Sequence, residues 1–378
     1  MFNIIRKILF KKYYNCNKKI FEAYFKKILK QNPDITTYDK LGVEEWLKKW
    51  NVFGQEPSIY GYKLYNHYIK NDSNIVPNEI ARNYIEPILT PQEYQPFYND
   101  KNSFGILFDK DWMPKTYLRS INRMLYDGNY ESISTSDYPI ESLFGNEDEL
   151  IVKPAKDMGG KGISLFKRNN NGNFVDDRGN VLSFEYLDKT YKTNYLVQEK
   201  FKQNQFMSQF NPTSVNTLRI AVYRDVNTGK LDILGAFLRI GGKGAFVDNI
   251  SSGGSSVPIN IIDGALGKYA CDKSRVKHNI YNDIDFAKEN LIIPNWNKIK
   301  AFVFDVAKRM PHMKLFANDV AIDINGNPKL IEVNTTDFSY MFYQVSGTPV
   351  FGKYTDELIN FCLEENKKIS QTSILKYY

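Results

Sequence analysis

The chain has 378 residues, 42% of them hydrophobic and 15% aromatic, and a formal net charge of +7. That length exceeds one ordinary core and predicts two or three packed units, while the apolar content excludes wholesale disorder. Cys16, Cys271 and Cys362 lie far apart, without a CxxC pair or a cluster of His67, His278 and His312. This excludes a disulfide framework or a zinc site as the reading of choice and suits a reducing, cytoplasmic setting. The chemistry must therefore rest on Lys, Arg, Asp and Glu.

Residues 1–30 hold nine Lys/Arg and one acid, so more than the whole net charge sits there and the body is close to neutral. In that segment Ile4, Ile5, Ile8, Leu9, Tyr13, Cys16, Ile20, Phe21, Tyr24, Phe25 and Ile28 recur at roughly helical spacing with the cations between them. Such a helix either packs on its own domain, the commoner fate, or lies on an anionic membrane surface as a peripheral contact. Lys11 and Lys12 break the apolar run that a signal peptide needs, and no stretch approaches the roughly 20 apolar residues of a membrane span. Residues 1–70 read mostly as helix, with Trp46 and Trp50 four apart on one face. The stretch 71–114, rich in Asn, Pro and Tyr at first, reads as a connecting region, with a short strand at 104–108. A helix is expected near 115–125.

From about residue 149 the pattern changes to strands and glycine turns. Leu150-Ile151-Val152 is a short apolar run ending at Lys153-Pro154, then come the loop 158–162 and a returning strand at 163–166. Turns at 169–172 and 176–180 suggest hairpins, Tyr195-Leu196-Val197 is another strand, and 214–224 pairs with 231–240 across Asn227-Thr228-Gly229-Lys230. The run 251–256 reads as a flexible loop, 296–309 as a helix and 317–335 as a final hairpin. Strands and helices mix without βαβ alternation, so the expected class is α+β. Nucleic-acid binding finds no support, since the cations gather in one terminal segment without an aromatic-interleaved groove.

The sharpest local inference concerns residues 319–334. Asn325-Gly326 or Gly326-Asn327 would form a two-residue turn, and either choice gives the flanking strands the same parity. Side chains alternate along a strand. Val320, Ile322, Ile324, Ile331 and Val333 then fall on a core face, and Asp319, Asp323, Glu332 and Asn334 on the other. Asp319, Glu332 and Asn334 cluster away from the turn as hard oxygen ligands suited to Mg²⁺, although a solvated outer face would show the same alternation. Upstream, Lys153 ends a strand before a loop with three glycines and Lys161, in which backbone N–H groups could approach phosphate oxygens. A plain hairpin turn is the other reading. Arg219 and Arg239 lie in apolar strands and need anionic partners, either structural carboxylates or a phosphate or acidic substrate.

Taken in order, these parts resemble the ATP-grasp superfamily, and more closely the sugar-transfer-associated ATP-grasp proteins. The resemblance rests on Lys153-Pro154, Gly159–Gly162, Gln198-Glu199, Asn216-Thr217-Leu218-Arg219, Leu238-Arg239, Asp248-Asn249, Gly253-Gly254, Asp319 and Glu332-Val333-Asn334. It implies two α+β subdomains clasping ATP, with a lid subdomain at 115–198 and a metal- and substrate-binding subdomain at 199–366. A basic helical extension at 1–70 and a tail at 367–378 complete the chain. It further implies Lys153 on the α- and β-phosphates, the loop of Gly159, Gly160, Lys161 and Gly162 as a lid, and Gln198, Glu199 and Lys200 in an adenine-binding hinge. Mg²⁺ would fall to Asp319, Glu332 and Asn334, a further phosphate contact to Lys110, and the transfer centre or an acidic substrate to Arg219 and Arg239. Where the family has Trp-Asp this chain has Asn318-Asp319, and Asn204 stands where the family has a hinge histidine. The implied reaction joins a small-molecule carboxylate to an amine through an acyl phosphate, in surface-polysaccharide or related precursor modification. Phosphotransfer to a hydroxyl and a non-catalytic nucleotide-binding scaffold are the competing readings.

Overall fold

A computed structural model describes residues 2–35, 39–135, 139–156, 160–336 and 338–369. The basic N-terminal segment is one helix, α1 (Phe2–Gln31), followed by α2 (Lys40–Trp50) and α3 (Ile59–Ile69). Asp39 and Ser58 accept from the backbone N–H groups of Leu41 and Tyr60, which caps α2 and α3. Along α1, Tyr14, Phe25 and Ile28 turn inward to a core shared with Trp46, Trp50, Tyr62 and Tyr65. Ile8, Leu9 and Ile20 of the same helix stay exposed. No described helix is long and apolar enough to cross a membrane.

The stretch expected to connect is instead part of that core, with Ile75, Val76, Ile80, Ile85 and Leu89 fully buried. Nor is 104–108 a strand. Asp100 caps the turn Lys101–Ser103, which runs straight into the helical turn Phe104–Leu107.

A six-stranded antiparallel sheet follows. Its strands are β1 (Thr116–Ile121), β2 (Met124–Asp127), β3 (Glu149–Pro154), β4 (Ser164–Arg168), β5 (Phe174–Val175) and β6 (Tyr195–Glu199), in the order β2-β1-β6-β3-β4-β5. The helix expected near 115–125 is therefore the hairpin β1–β2. Asn122 and Arg123 take φ 50° and 71°, the two left-handed positions of a tight hairpin turn. With Arg where glycine is usual, the sequence hides that turn.

The second sheet has seven strands in the order β11-β10-β9-β8-β7-β14-β15. They are β7 (Thr217–Arg224), β8 (Leu231–Ile240), β9 (Ser255–Ile259), β10 (Ala270–Cys271), β11 (Lys277–His278), β14 (Leu315–Ile322) and β15 (Pro328–Asn334). A separate ribbon, β12 (Ile280–Tyr281) with β13 (Ile284–Asp285), lies between β11 and β14 in the chain. The run 251–256 is not a free loop: Ser255 and Ser256 open β9 and are buried. A Cβ at Gly254 would lie within 2.9 Å of the carbonyl oxygens of Ile240, Asn249 and Asp248, so only glycine fits there.

One face of this sheet packs on the helix Trp296–Lys308 through Leu218, Ile220, Leu238, Val320 and Ile322. On the opposite face Ala221, Tyr223, Leu315 and Ala317 join the core of α1–α3. The helical segment and the sheet therefore share one hydrophobic interior and should unfold together. Trp46, whose indole N–H donates to the Ile75 carbonyl at 2.7 Å, tests this. Trp46→Ala should cost ~3–5 kcal/mol in urea unfolding followed by circular dichroism, within a single transition. A separate early melt of the helices with the sheet intact would contradict the shared core.

Candidate functional site

The hairpin β14–β15 is built differently from the expectation yet delivers the same trio. Its loop has five residues, 323–327, folded around Asp323, whose carboxylate accepts from the backbone N–H groups of Asn325 and Asn327. Ile324 consequently sits on the loop and is 64% exposed rather than in the core. Asp323 serves this loop and lies 3.7 Å from Lys329. Between the loop and the trio a β-bulge intervenes, so that Val320 pairs Leu330 while Asp319 pairs Glu332. Leu330 takes the core position, and Ile331 lines the cavity described below. The odd-numbered loop shifts the pairing by one residue and the bulge shifts it back. Asp319, Glu332 and Asn334 thus emerge on one face.

That face carries a row of side chains across four strands. Register places Phe237 (β8) opposite Arg219 (β7), Arg219 opposite Asp319 (β14), and Asp319 opposite Glu332 (β15). Arg219 grips Asp319 with two hydrogen bonds, Nε to Oδ1 at 2.7 Å and Nη2 to Oδ2 at 2.6 Å. Arg239 adds a third from Nη1 to Oδ2 at 2.7 Å and uses Nη2 to meet Asp248 at 2.9 Å. The Thr217 hydroxyl donates to Asp248 in turn. Burial would raise the pKa of Asp319, which is 2% exposed, but the two guanidiniums outweigh it and hold the carboxyl below its ordinary value. Asp248 is pushed the other way, because burial there exceeds the pull of Arg239.

The facing wall comes from the six-stranded sheet. On β3 the even residues Leu150 and Val152 enter the core with Phe166 and Phe174, while Glu149, Ile151 and Lys153 turn to the cavity. The ammonium of Lys153 is pushed down to about 7, by burial first and then by Lys101, with Glu332 opposing. Gln198 and Glu199 of β6 and Lys200 after it line the same space. The Gln198 amide donates to Thr116, the Glu199 carboxylate accepts from the Lys115 N–H, and Lys200 pairs with Glu149 at 2.7 Å. All three side chains are turned to partners within the protein, and the backbone N–H groups of Glu199 and Lys200 meet the Lys115 and Glu149 carbonyls. Asn204 caps the helical turn Gln205–Ser208.

Between the two sheets lies a cavity of about 710 Å³ that Lys153, Gly160, Lys161, Arg219, Arg239, Asp319, Glu332 and Asn334 all line. Gly162 has φ 71° and packs on Pro154, where a Cβ would come within 2.9 Å. Met158 and Gly159 fall outside the described residues. Lys110 does not line the cavity; it is exposed and donates to Asn129. A further lysine at the cavity is Lys101, 2.8 Å from Glu332 and 8% exposed. Sequence reasoning missed Lys101 because it stands in a capped turn without a motif, and gave Asp248 no role because its partner lies on another strand.

The trio fits a hard divalent cation. No three His, Cys, Asp or Glu residues gather among the described residues, so the donor set is two carboxylates plus an amide. A carboxylate offers about four lone pairs, and three of Asp319's are taken by guanidinium N–H groups. The Asn334 side chain also bears on this carboxylate. Glu332 gives one oxygen to Lys101 and keeps the other. The Asn334 amide nitrogen is buried without a hydrogen-bond partner, and since amide N and O are assigned by their network, that amide can present its oxygen instead. Three oxygen donors on one face of a hairpin suit Mg²⁺.

A family model described as sugar-transfer-associated ATP-grasp matches residues 89–357. The chain belongs to that family. The α+β fold is accordingly an ATP-grasp fold. No curated protein matches the chain. Solved structures similar to it include an L-amino acid ligase from Bacillus licheniformis, at 16% identity and TM-score 0.31, covering 64% of this chain and 41% of that one. A D-alanine–D-alanine ligase from Bacillus anthracis, complexed with ATP, is 12% identical with TM-score 0.37, covering 73% of this chain and 68% of that one. A D-cycloserine synthetase is 10% identical with TM-score 0.39, covering 71% and 73%. The chain thus spans about two fifths of the length of the first of these.

In this ATP-grasp chain the buried cluster yields a stability prediction. Arg219→Met removes two of the three guanidinium hydrogen bonds to a buried carboxylate and should cost ~3–5 kcal/mol in urea unfolding at neutral pH. Asp319→Asn in the same background should recover part of that loss. The contribution of Asp319 requires its ionised form. Its folded pKa is lowered, so the contribution is complete above the unfolded carboxyl value near ~4 and disappears as pH falls through the folded one. A deficit in Arg219→Met that stays constant through the acid limb, or that Asp319→Asn leaves untouched, would contradict the pairing.

Proposed function

We propose that this ATP-grasp protein is an ATP-dependent carboxylate–amine ligase acting through an acyl phosphate, in the modification of surface-polysaccharide or related precursors. The observation that carries the reading is one cavity in which Lys153, the glycine loop, the backbone after β6 and the Asp319/Glu332/Asn334 trio converge. Membership of the sugar-transfer-associated family supports the substrate class.

In this reading Lys153 and Lys161 receive phosphate oxygens, the loop with Gly160 and Gly162 closes over them, and backbone groups of 199–201 meet the adenine edge. Asp319, Glu332 and Asn334 hold Mg²⁺, which supplies charge neutralisation to the phosphates. Arg219 and Arg239 act mainly as positioning residues, since their guanidiniums hold Asp319 and Asp248. A carboxylate oxygen of the acid attacks the γ-phosphorus, forming one P–O bond while the β–γ bridge bond breaks and ADP leaves. The amine nitrogen then attacks the acyl carbon, a C–N bond forms, phosphate departs and the amine gives up a proton. The side chains contribute placement and charge rather than a nucleophile. Exclusion of water by the closed loop protects the acyl phosphate.

Calorimetry of MgATP binding is the first test. The wild type should bind in a Mg²⁺-dependent way, and Glu332→Ala/Asn334→Ala should lose the Mg²⁺ dependence and at least about tenfold in affinity. A well-folded wild type that fails to bind would leave the non-catalytic scaffold reading in its place. ADP release should require both an acid and an amine; release driven by a hydroxyl compound alone would identify a phosphotransferase instead.

Lys153 adds a proton-linked prediction. Burial and Lys101 push its ammonium down to about 7, and phosphate oxygens would restore the charged form. Nucleotide binding above that pH should therefore take up a proton, and affinity should weaken as pH rises. Binding enthalpies measured in buffers of different ionisation enthalpy read this directly. Lys153→Met should bind more weakly and without uptake; unchanged uptake in that variant would assign the proton to another group.

A further inference from the structure

The cavity has a second cationic end that the nucleotide reading does not use. Of the three arginines lining it, Arg219 and Arg239 are met by Asp319 and Asp248. Arg275 has no carboxylate within ion-pair distance among the described residues, although it is 4% exposed. Its contacts are weak ones for a buried cation: Nη2 donates to the Tyr24 hydroxyl at 3.1 Å, Nη1 to the Asp272 carbonyl at 3.2 Å, and Nε lies 2.8 Å from the Met341 sulfur. The guanidinium is stacked on the ring of Phe342, 3.7 Å from its centroid, and Phe342 lines the same cavity. A guanidinium this buried needs an anion or a full set of acceptors to offset its lost hydration, and it has neither.

The backbone is held to aim it. Arg275 has φ 63°, a left-handed conformation that a long side chain seldom adopts. The Asp272 carboxylate is occupied within the loop, accepting from the N–H groups of Ser274 and Val276 and meeting His278 at 3.0 Å, so it does not neutralise Arg275. The N-terminal helices clamp the loop from outside. Asn32, just past the end of α1, donates to the Ser274 carbonyl at 2.9 Å, Tyr68 of α3 to the Arg275 carbonyl at 2.9 Å, and Tyr24 of α1 accepts from the guanidinium itself. Lys273, exposed and also lining the cavity, places a second positive charge beside it.

The geometry points to Arg275 and Lys273 as an oxyanion subsite for the substrate that is not ATP, with Tyr24 of the N-terminal helix orienting the guanidinium. Its ligand is a carboxylate or phosphate group carried by that substrate. Planar, forked N–H donors suit either anion, and the Phe342 ring fixes the plane of the fork. This assignment deepens the ligase reading and rests on it for placing the nucleotide at the Lys153 end. It also gives α1 and α3 a role in substrate recognition.

The experiment uses the full chain with Mg²⁺ and a saturating non-hydrolysable β,γ-imido ATP analogue, so that the nucleotide end cannot accept the probe. Binding of the analogue alone, measured first, tests the nucleotide reading. Calorimetric titration of the loaded chain with inorganic phosphate, and separately with acetate, tests the subsite. At least one anion should bind, and Arg275→Met should weaken it by about tenfold or more, the scale of losing a charge-assisted hydrogen-bond pair. The analogue's affinity should change by less than the anion's. Lys273→Ala, an exposed truncation that leaves the core untouched, should weaken the anion severalfold, and it decides the matter where Arg275→Met fails to fold. Preference for phosphate would identify a phosphate-linked substrate, and preference for acetate a carboxylate. Should the analogue not bind, the same titrations on the nucleotide-free chain with both variants decide the subsite independently. Failure of both anions to bind the wild type, or equal binding by wild type and variants, would overturn the assignment.

Discussion

Asp319 is the residue on which the arrangement of the cavity depends. A carboxylate 2% exposed has given up its hydration and must be met by charge and by hydrogen bonds. Arg219 on the adjacent strand supplies two bonds, and Arg239, one strand farther, supplies a third. Arg239 in turn is balanced by Asp248, which Thr217 also holds. Buried ion pairs of this kind add little net stability, because desolvation consumes most of the Coulomb gain. What they do add is direction. Held on both oxygens by guanidiniums, Asp319 is fixed in orientation beside Glu332 across the strand pair.

The same sheet face also explains how the N-terminal helices belong to the site. At one end of the face, Ala221, Tyr223, Leu315 and Ala317 belong to the same buried cluster as the apolar sides of α1–α3, with Tyr223 packed on Phe351 and Tyr354. At the other, the polar row looks into the cavity. Continuity between the two ends lets helices outside the region matched to the family, which begins at residue 89, reach the cavity through Tyr24 and through their hold on the loop of Arg275. A basic helix that looks from its composition like a surface element is, along Tyr14, Phe25 and Ile28, an interior one.

Much of the site was legible from residue types and parity alone. The trio Asp319, Glu332 and Asn334, the strand carrying Lys153 and the hairpin β7–β8 follow from alternation and glycine turns, because those signals are local. What stayed hidden depends on contacts between distant segments or on turns without their usual residues. The β1–β2 hairpin turns at Asn122-Arg123, and no glycine marks it. Lys101 reaches Glu332 across 231 positions, and Arg275 meets Tyr24 across 251. Parity alone puts Asp319, Glu332 and Asn334 on one face of β14–β15, but for an incomplete reason. Both the five-residue loop and the bulge near Ile331 were missed, and their shifts cancel. Ile324 and Ile331, placed in the core by simple alternation, are the residues that expose the difference.

The charge inventory of the cavity follows from these pairings and limits what can enter it. Arg219 and Arg239 are balanced by Asp319 and Asp248, Lys101 by Glu332, and Lys200 by Glu149. Lys153 at one end and Arg275 at the other have no carboxylate in ion-pair range among the described residues, and both are largely withdrawn from water. Within low-dielectric walls such charges act over longer distances than on an open surface and draw anions toward both ends. In the proposed reading one polyanionic nucleotide would take the Lys153 end, and Mg²⁺ would be held by the trio. Arg275, on a loop that Tyr68 and Tyr24 clamp, is left for a second anion in that reading. A cavity so constructed is suited to two anionic ligands at once, which is the arrangement a reaction between a bound nucleotide and a separately anchored acid or sugar precursor requires.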